Sequence, residues 1–296
     1  MKHPFVKICL TALLALVLLA GCGTPKKQAE LTLDAQSGAI LILVPHPDDE
    51  TLLCGGIIQR ALELGLPVTV AIATDGDDQD TDGSIAEMRL NETLAGMKTL
   101  GLPEENVVFL GYGDTGSGRE YSFLARLYDA ADETEVLSAY GGTKTHALPD
   151  HPDFHTVRTG QAGDYTRQTF LDDVKALVSQ TKPSMIFTSL ECDQHCDHAA
   201  LCQFVLEANP SAKVYGGLTH ASAGFESWPD RTADVFSAPE GFELDWQAGL
   251  RFPLTETERE VKREAIGAYR SQLTDIARDY LYSFAKTEEI FFLLNG

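Results

Sequence analysis

From Ala39 onward, short apolar runs alternate with longer amphipathic stretches, and this alternation restricts the chain more than any other feature. Ile40–Pro45, Pro67–Thr74, Val107–Leu110, Ser184–Ser189 and Lys213–Thr219 are apolar enough to read as buried strands. Residues 50–64, 84–100, 165–180, 199–207 and 256–273 carry helical spacing, with Gly65 and Gly101 as stops. Strands separated by helices of this length predict an α/β chain: a Rossmann-like, mostly parallel sheet with helices on both faces, in a single domain. Residues 111–164 and 220–255 are rich in Gly, Pro, Asp and His and read as loops over one edge of that sheet. Loops of this length tend to carry function.

The first 36 residues stand apart. Lys2 and Lys7 precede an apolar run, Ile8 to Ala20, that is too short for a comfortable membrane span. The run ends in Leu19-Ala20-Gly21-Cys22, which resembles a bacterial lipobox, the signal for cleavage before a cysteine that then carries lipid. The expected organisation is a signal peptide over 1–21, a tether over 22–36 and a single folded domain over 37–296. A lipidated Cys22 supplies more acyl chains than the two that stable anchoring needs. The expected location is therefore that of an exported lipoprotein, anchored in a membrane and facing the cell surface or the periplasm.

The chain has 23 Lys and Arg against 44 Asp and Glu, a formal charge of −21, and loss of Lys2 and Lys7 with the leader deepens the imbalance. No basic stripe could neutralise phosphates, so nucleic acid is excluded as a partner. Adhesion to anionic lipid beyond the anchor is disfavoured for the same reason. Of the six cysteines, Cys9 leaves with the leader and Cys22 carries lipid. Cys54, Cys192, Cys196 and Cys202 remain, either as buried thiols or in disulfides such as Cys192–Cys202 or Cys54–Cys202.

In open parallel sheets the ligand sits at the carboxyl ends of the strands. Polar clusters fall there repeatedly: Pro45-His46-Pro47-Asp48-Asp49-Glu50, Asp75-Gly76-Asp77, Gly111-Tyr112-Gly113-Asp114 and Glu191 to His198. Capping a helix needs one acid and no histidine, so the first cluster has a surplus. His46 and Asp49 lie three apart across a proline-led turn, which aims an imidazole and a carboxylate at one point. A catalytic zinc site needs three protein ligands and an open position. The third ligand can come from Gln194-His195-Cys196-Asp197-His198, through either histidine. Asp78-x-Asp80-x-Asp82-Gly83 matches the first half of an EF-hand, but Arg89 stands at the twelfth position. What remains there is a looser Ca2+ site on Asp78, Asp80 and Asp82, or an acidic solvated loop. His146, His151 and His155, with Asp150 and Asp153, form one more set that could hold a metal or serve as lid or surface residues.

At this point the chain resembles the zinc-dependent N-deacetylases related to PIG-L and LmbE. The likeness is carried by Pro45 to Glu50 and by Asp193-x-His195-x-Asp197-His198. It extends to Arg89-x-x-Glu92 before Leu100-Gly101, to Leu110 through Asp114, and to Ala268-Tyr269-Arg270-Ser271-Gln272. The sequence departs from the family at Cys196, where proline is usual. The resemblance implies one Zn2+ per chain on His46, Asp49 and His198, with Asp48 as general base. It implies that His195 stabilises the oxyanion or protonates the amine. Asp197 is then expected to orient the His195 ring and raise its pKa. Arg89 and Asp114 are expected to bind the substrate, an N-acetylated sugar or glycoconjugate of the N-acetylglucosamine type. The rival readings are an amidase acting on a non-sugar amide or thiol conjugate, a silent zinc- or solute-binding lipoprotein, and a metal-dependent phosphatase or nuclease. Asp48 argues against the silent binder, which needs no base beside its ligands, and the negative charge against a polyanionic substrate. Metabolic labelling with a clickable fatty acid is expected to mark the wild-type chain and not Cys22→Ala; label persisting in the variant would refute the lipobox.

Overall fold

Ile40–Val44 is an unbroken apolar run, buried at every position, and in the computed structural model it forms β1, the middle one of five parallel strands. The structure describes residues 28–295 apart from 81, 209 and 223–227, so the leader and Cys22 lie outside the described residues. The elements follow as α1 (Asp49–Glu63), β2 (Val68–Thr74), α2 (Ser84–Thr99), β3 (Val107–Tyr112), α3 (Phe123–Tyr128), α4 (Phe154–Thr159) and α5 (Arg167–Thr181). They continue as β4 (Met185–Ser189), α6 (Cys196–Glu207), β5 (Lys213–Gly217), β6 (Leu250–Pro253), α7 (Glu256–Ile266), α8 (Arg278–Tyr282) and β7 (Glu288–Leu293).

The strands form one sheet in the order β3-β2-β1-β4-β5-β7-β6. The pairs from β3 through β5 are parallel, and β7 runs antiparallel to both β5 and β6. Alternate residues of β1 supply opposite faces, as the two-residue strand period requires. Ile40, Ile42 and Val44 pack with Leu53, Ile57 and Ala61 of α1 and with Leu90 and Met97 of α2. Leu41 and Leu43 pack with Phe123, Phe170, Val174, Leu201 and Phe204, from α3, α5 and α6. Each of these side chains larger than alanine contributes roughly 1.5–3 kcal/mol by leaving water. A third apolar cluster, including Leu52, Leu218, Tyr280, Leu281 and Phe284, closes the side of the molecule beyond β5.

Three differences from the expected layout have local causes. The antiparallel edge of β6 and β7 falls in stretches read as loop or left unassigned, because β6 is four residues long and β7 opens on two glutamates. The late helix expected to reach Leu273 ends at Ile266, and tight turns carry the chain through residues 267–273. Part of the segment expected as a tether is docked: the Leu31 N–H donates to the Arg251 carbonyl at 2.9 Å and the Arg251 N–H to the Ala29 carbonyl at 2.9 Å. An edge strand offers free backbone groups, and Leu31 is buried against the first core as it pairs there.

The edge is tied to the helix that carries the first polar cluster. Lys262 of α7 donates to Glu289 of β7 at 2.7 Å, and both are buried. Glu289 also accepts the Gly56 and Ile57 amides of α1, at 2.7 and 3.1 Å. Lys262→Met strands a buried carboxylate and is expected to cost about 3–5 kcal/mol in urea denaturation. Adding Glu289→Gln should recover part of that loss; a single variant as stable as wild type would show the pair to be dispensable.

Candidate metal centre

β1 and β4 are neighbours, yet the chain leaves β1 toward β2 on one side and enters β5 from β4 on the other. A crevice opens at the carboxyl ends of two strands so arranged. The turn after β1 delivers His46, Asp48 and Asp49 to it, and the turn after β4 delivers His195 and His198.

Three donor atoms meet there in a nearly equilateral triangle. His46 Nδ1 is 3.2 Å from His198 Nε2. Asp49 Oδ2 is 3.3 Å from each of those nitrogens. A tetrahedral zinc with bonds of about 2.0–2.1 Å separates its donors by about 3.3 Å, so the triangle has the dimensions of one face of such a site. Both rings and the carboxylate are buried. Two buried imidazole nitrogens this close need a proton or a cation between them. The remaining ring nitrogens have acceptors of their own, as metal-binding histidines do. His46 Nε2 lies 3.2 Å from Asp197 Oδ2. His198 Nδ1 lies 3.2 Å from Ser189 Oγ and 3.5 Å from Asp193 Oδ2. Two other triples, His46 with His195 and His198, and His46 with Asp114 and Asp197, also bring one donor atom each within 4.8 Å of one another. The first triangle has all three edges at 3.2–3.3 Å, the spacing that zinc requires.

Asp197 serves a different ring from the one expected. Its Oδ2 faces His46, while its Oδ1 accepts the Leu124 amide at 2.8 Å and the Ser122 hydroxyl. His195 instead caps α6, with Nδ1 accepting the Asp197 N–H at 3.3 Å. Burial, with His46, His198 and His220 nearby, holds the His195 pKa well below its ordinary value rather than raising it. A neutral ring that accepts at Nδ1 carries its hydrogen on Nε2, so His195 is a donor.

Asp48 stands between the ligand candidates in a backbone conformation rare for a side-chain-bearing residue, with φ at 122°. Its N–H donates to Glu50 Oε2 at 3.0 Å, and the other Glu50 oxygen accepts the Tyr269 hydroxyl. Burial, reinforced by the neighbouring Asp49, pushes the Asp48 carboxyl up to about 7. Arg89 clamps the same turn, donating to the Pro47 carbonyl at 2.9 Å and the Gly76 carbonyl at 3.2 Å, with Asp48 Oδ2 at 3.7 Å. Gly76 has φ +69°, and a Cβ there would meet the guanidinium at 2.4 Å. Glu92 does not pair with Arg89; it accepts the Ser271 amide and hydroxyl at 2.8 and 2.6 Å. Asp114 both forms a turn, accepting the Gly116 amide at 3.0 Å, and points Oδ2 to within 3.7 Å of His46 Nε2. A cavity of about 530 Å³ opens over the triangle, with Asp48, Arg89, Asp114, His195, His220 and Tyr280 on its walls.

The other expected metal sets do not assemble. Asp80 accepts the amides of Asp82, Gly83, Ile85 and Ala86 at 2.7–3.1 Å, so its oxygens cap α2. Asp82 Oδ1 accepts the Ser84 amide at 3.1 Å, and the loop of Asp78, Asp80 and Asp82 gives no support to a Ca2+ site. His146 pairs with Asp75 at 2.8 Å, His151 with the Val107 carbonyl at 2.9 Å and His155 with Asp173 at 2.9 Å, each in a different place. Cys54, Cys192, Cys196 and Cys202 are free thiols. His220 and Tyr280, both on the cavity wall, escaped the sequence reading, since a lone histidine after a strand and a tyrosine on a short helix carry no spacing signal.

Residues 41–209 match the family described as PIG-L, GlcNAc-PI de-N-acetylase. The chain is 28% identical over 156 residues to 1D-myo-inositol 2-acetamido-2-deoxy-alpha-D-glucopyranoside deacetylase of Streptomyces avermitilis, covering 42% of this chain and 52% of that protein. It is 33% identical over 81 residues to the diacetylchitobiose deacetylase of Thermococcus kodakarensis, covering 26% and 30%. It thus spans about half or less of the curated relatives it matches. Among solved structures, the A40926 pseudoaglycone deacetylase Dbv21 aligns with a TM-score of 0.56 at 16% identity, covering 87% of this chain and 97% of that one. The zinc-inhibited form of teicoplanin deacetylase Orf2 aligns with 0.52 at 19%, covering 83% and 90%. At such identities the likeness is one of fold. If the triangle is the metal site, the purified chain should carry about one zinc. Elemental analysis should find that His46→Ala, Asp49→Ala and His198→Ala each lose it; full occupancy in two of them would discard the ligand set.

Proposed function

Because more than half of it matches, this chain belongs to the PIG-L, GlcNAc-PI de-N-acetylase family, and from that premise we propose that it is a zinc-dependent N-deacetylase of N-acetylated amino sugars. The observation that carries the reading is the triangle of His46, Asp49 and His198 with edges of 3.2–3.3 Å, set directly beside Asp48. His46, Asp49 and His198 would hold the metal. A zinc ion there supplies a Lewis acid and lowers the pKa of water into the neutral range.

The chain's own groups then divide the work. Asp48, stationed at the rim by its strained turn, takes a proton from the attacking water and passes it to the sugar nitrogen as the C–N bond breaks, so that acetate and the free amine leave. His195, through Nε2–H, donates to the acetyl oxygen as negative charge gathers on it. Asp197 holds His46 in register from behind. Arg89 acts first through the backbone of Asp48, since its guanidinium is spent on the Pro47 and Gly76 carbonyls, and it faces the sugar only with what remains. Asp114, also on the cavity wall, offers a carboxylate to sugar hydroxyls. The substrate is read as a glycan or glycoconjugate bearing N-acetylglucosamine. The diacetylchitobiose and inositol-linked sugars named for the relatives support that class, and the cavity exceeds the needs of an acetyl group alone. We propose further that Cys22 anchors the protein to a membrane on its exported side, on the strength of the Leu19 to Cys22 signal.

Zinc-loaded protein incubated with a panel of N-acetylated glycans should release acetate from at least one. Asp48→Asn should keep its zinc while kcat on that substrate falls by roughly two orders of magnitude or more. Near-normal turnover would move the base elsewhere. Acetate released only from a non-sugar amide would replace the sugar reading with an amidase.

A further inference from the structure

Asp75-Gly76-Asp77 follows β2 at the rim, yet the function proposed above uses neither acid. Gly76 and Asp78 line the cavity, whereas Asp75 and Asp77 are buried behind it. A buried carboxyl persists only where donors meet it, so the donors show what the residue is for. Asp77 has one on each oxygen. Its Oδ1 accepts the Asp114 amide after β3, and its Oδ2 accepts the Gly141 amide at 3.0 Å, from 64 positions along the chain. Asp75 steadies it: Asp75 Oδ1 accepts the Asp77 amide at 3.2 Å, and Asp75 Oδ2 lies 2.8 Å from His146 Nε2. The His146 amide returns to the Gly111 carbonyl at 3.0 Å.

The backbone is shaped for these contacts. A Cβ on Gly113 would lie 2.3 Å from Ala139 Cβ and 3.3 Å from Asp77 Oδ1, and one on Gly141 would lie 2.8 Å from Asp77 Oδ2. Glycine at both positions lets the two segments close on one carboxyl. Asp114 is then held twice, by its amide at Asp77 and by its Oδ1, which accepts the Gly116 amide at 3.0 Å. A side chain held at both places has little rotamer freedom, so it meets the cavity in one orientation. The metal triangle and Asp48 depend on other contacts, those of Asp197, Glu50 and Arg89.

We propose that Asp77 is a positioning residue for sugar binding: it clasps the Asp114 amide to the 139–146 segment and so presets the carboxylate that meets the sugar, without touching substrate itself. This rests on the N-deacetylase reading above, in which Asp114 faces sugar hydroxyls. Recognition of the sugar and chemistry at the amide are then supported by separate sets of buried contacts. A preset acceptor favours a sugar with a hydroxyl in its reach and rejects one that lacks it.

The test uses the full-length, zinc-loaded protein and the N-acetylated glycan from which it releases acetate fastest. Asp77→Ala should keep its zinc and raise KM about tenfold while kcat changes less than about twofold, the pattern of lost binding. Asp77→Asn keeps one acceptor and turns an NH2 toward an amide, so its KM should fall between; it also serves if the alanine variant does not fold. In an Asp114→Ala background, Asp77→Ala should change kcat/KM little further, because the carboxylate it positions is gone. Losses that multiply independently, or a fall in kcat or zinc with KM unchanged, would make Asp77 a support of the fold and end the proposal. Amide hydrogen exchange needs no substrate: the amides of Asp114 and Gly141 should both exchange about tenfold or more faster in Asp77→Ala than in the wild type. Unaltered exchange overturns the clasp even if KM rises. If exchange changes as expected but the wild type cleaves no N-acetylated sugar, the N-deacetylase reading has failed, and the sugar role of Asp77 falls with it.

Discussion

Asp197 has no exposed surface, and a carboxylate in that position persists only when donors surround it. Its partners come from two distant parts of the chain: the Ser122 hydroxyl and Leu124 amide at the start of α3, and the His46 ring after β1. The residue itself belongs to the first turn of α6. One side chain therefore closes the crevice between the two central strands and sets the rotation of the imidazole that faces Asp49 and His198. If the His46 ring were turned over, Nδ1 would leave the triangle. The geometry of the candidate centre descends from this contact more than from the turn that bears His46.

Much of this was readable from the chain. The runs beginning at Ile40, Pro67, Val107, Ser184 and Lys213 became the five parallel strands, because a strand buried on both faces has to be continuously apolar. The proline-led turn with its surplus acids and the paired histidines at the start of α6 fell at one rim, as the carboxyl-end rule requires. What escaped was whatever depends on a partner far along the chain. Nothing near Asp197 marks its carboxylate for His46 rather than for His195 two residues away. Nothing near His220 announces Tyr280, sixty positions later. The acids at 78, 80 and 82 were misleading for a related reason. Alternating acids suit a calcium loop and a helix cap alike, and only the amides of Ile85 and Ala86, folded back onto Asp80, decide between them.

The sequence islands outside the triangle also change meaning once folded. In the sequence Arg89 reads as a substrate contact, and Glu92, Tyr269 and Ser271 only as members of separate islands of family likeness. Together they form a frame: Glu92 holds the Ser271 turn, that turn carries Tyr269 to Glu50, and Glu50 holds the amide of Asp48. Arg89 closes the frame from the other side through Pro47. An unfavourable φ at Asp48 is sustained because the surroundings over-determine it. Strain of this kind, fixed by residues that touch no reacting atom, is a reason for such islands to exist at all.

The docking of residues 29–31 on the outer strand bears on where this protein can work. If Cys22 is held in a bilayer, as proposed above, only the stretch to Lys27 separates the lipid from a segment that is already part of the folded body. Fully extended, such a stretch reaches about 20 Å. The domain would then be short-leashed, unable to sweep a large volume, and would meet only molecules that come to the membrane surface.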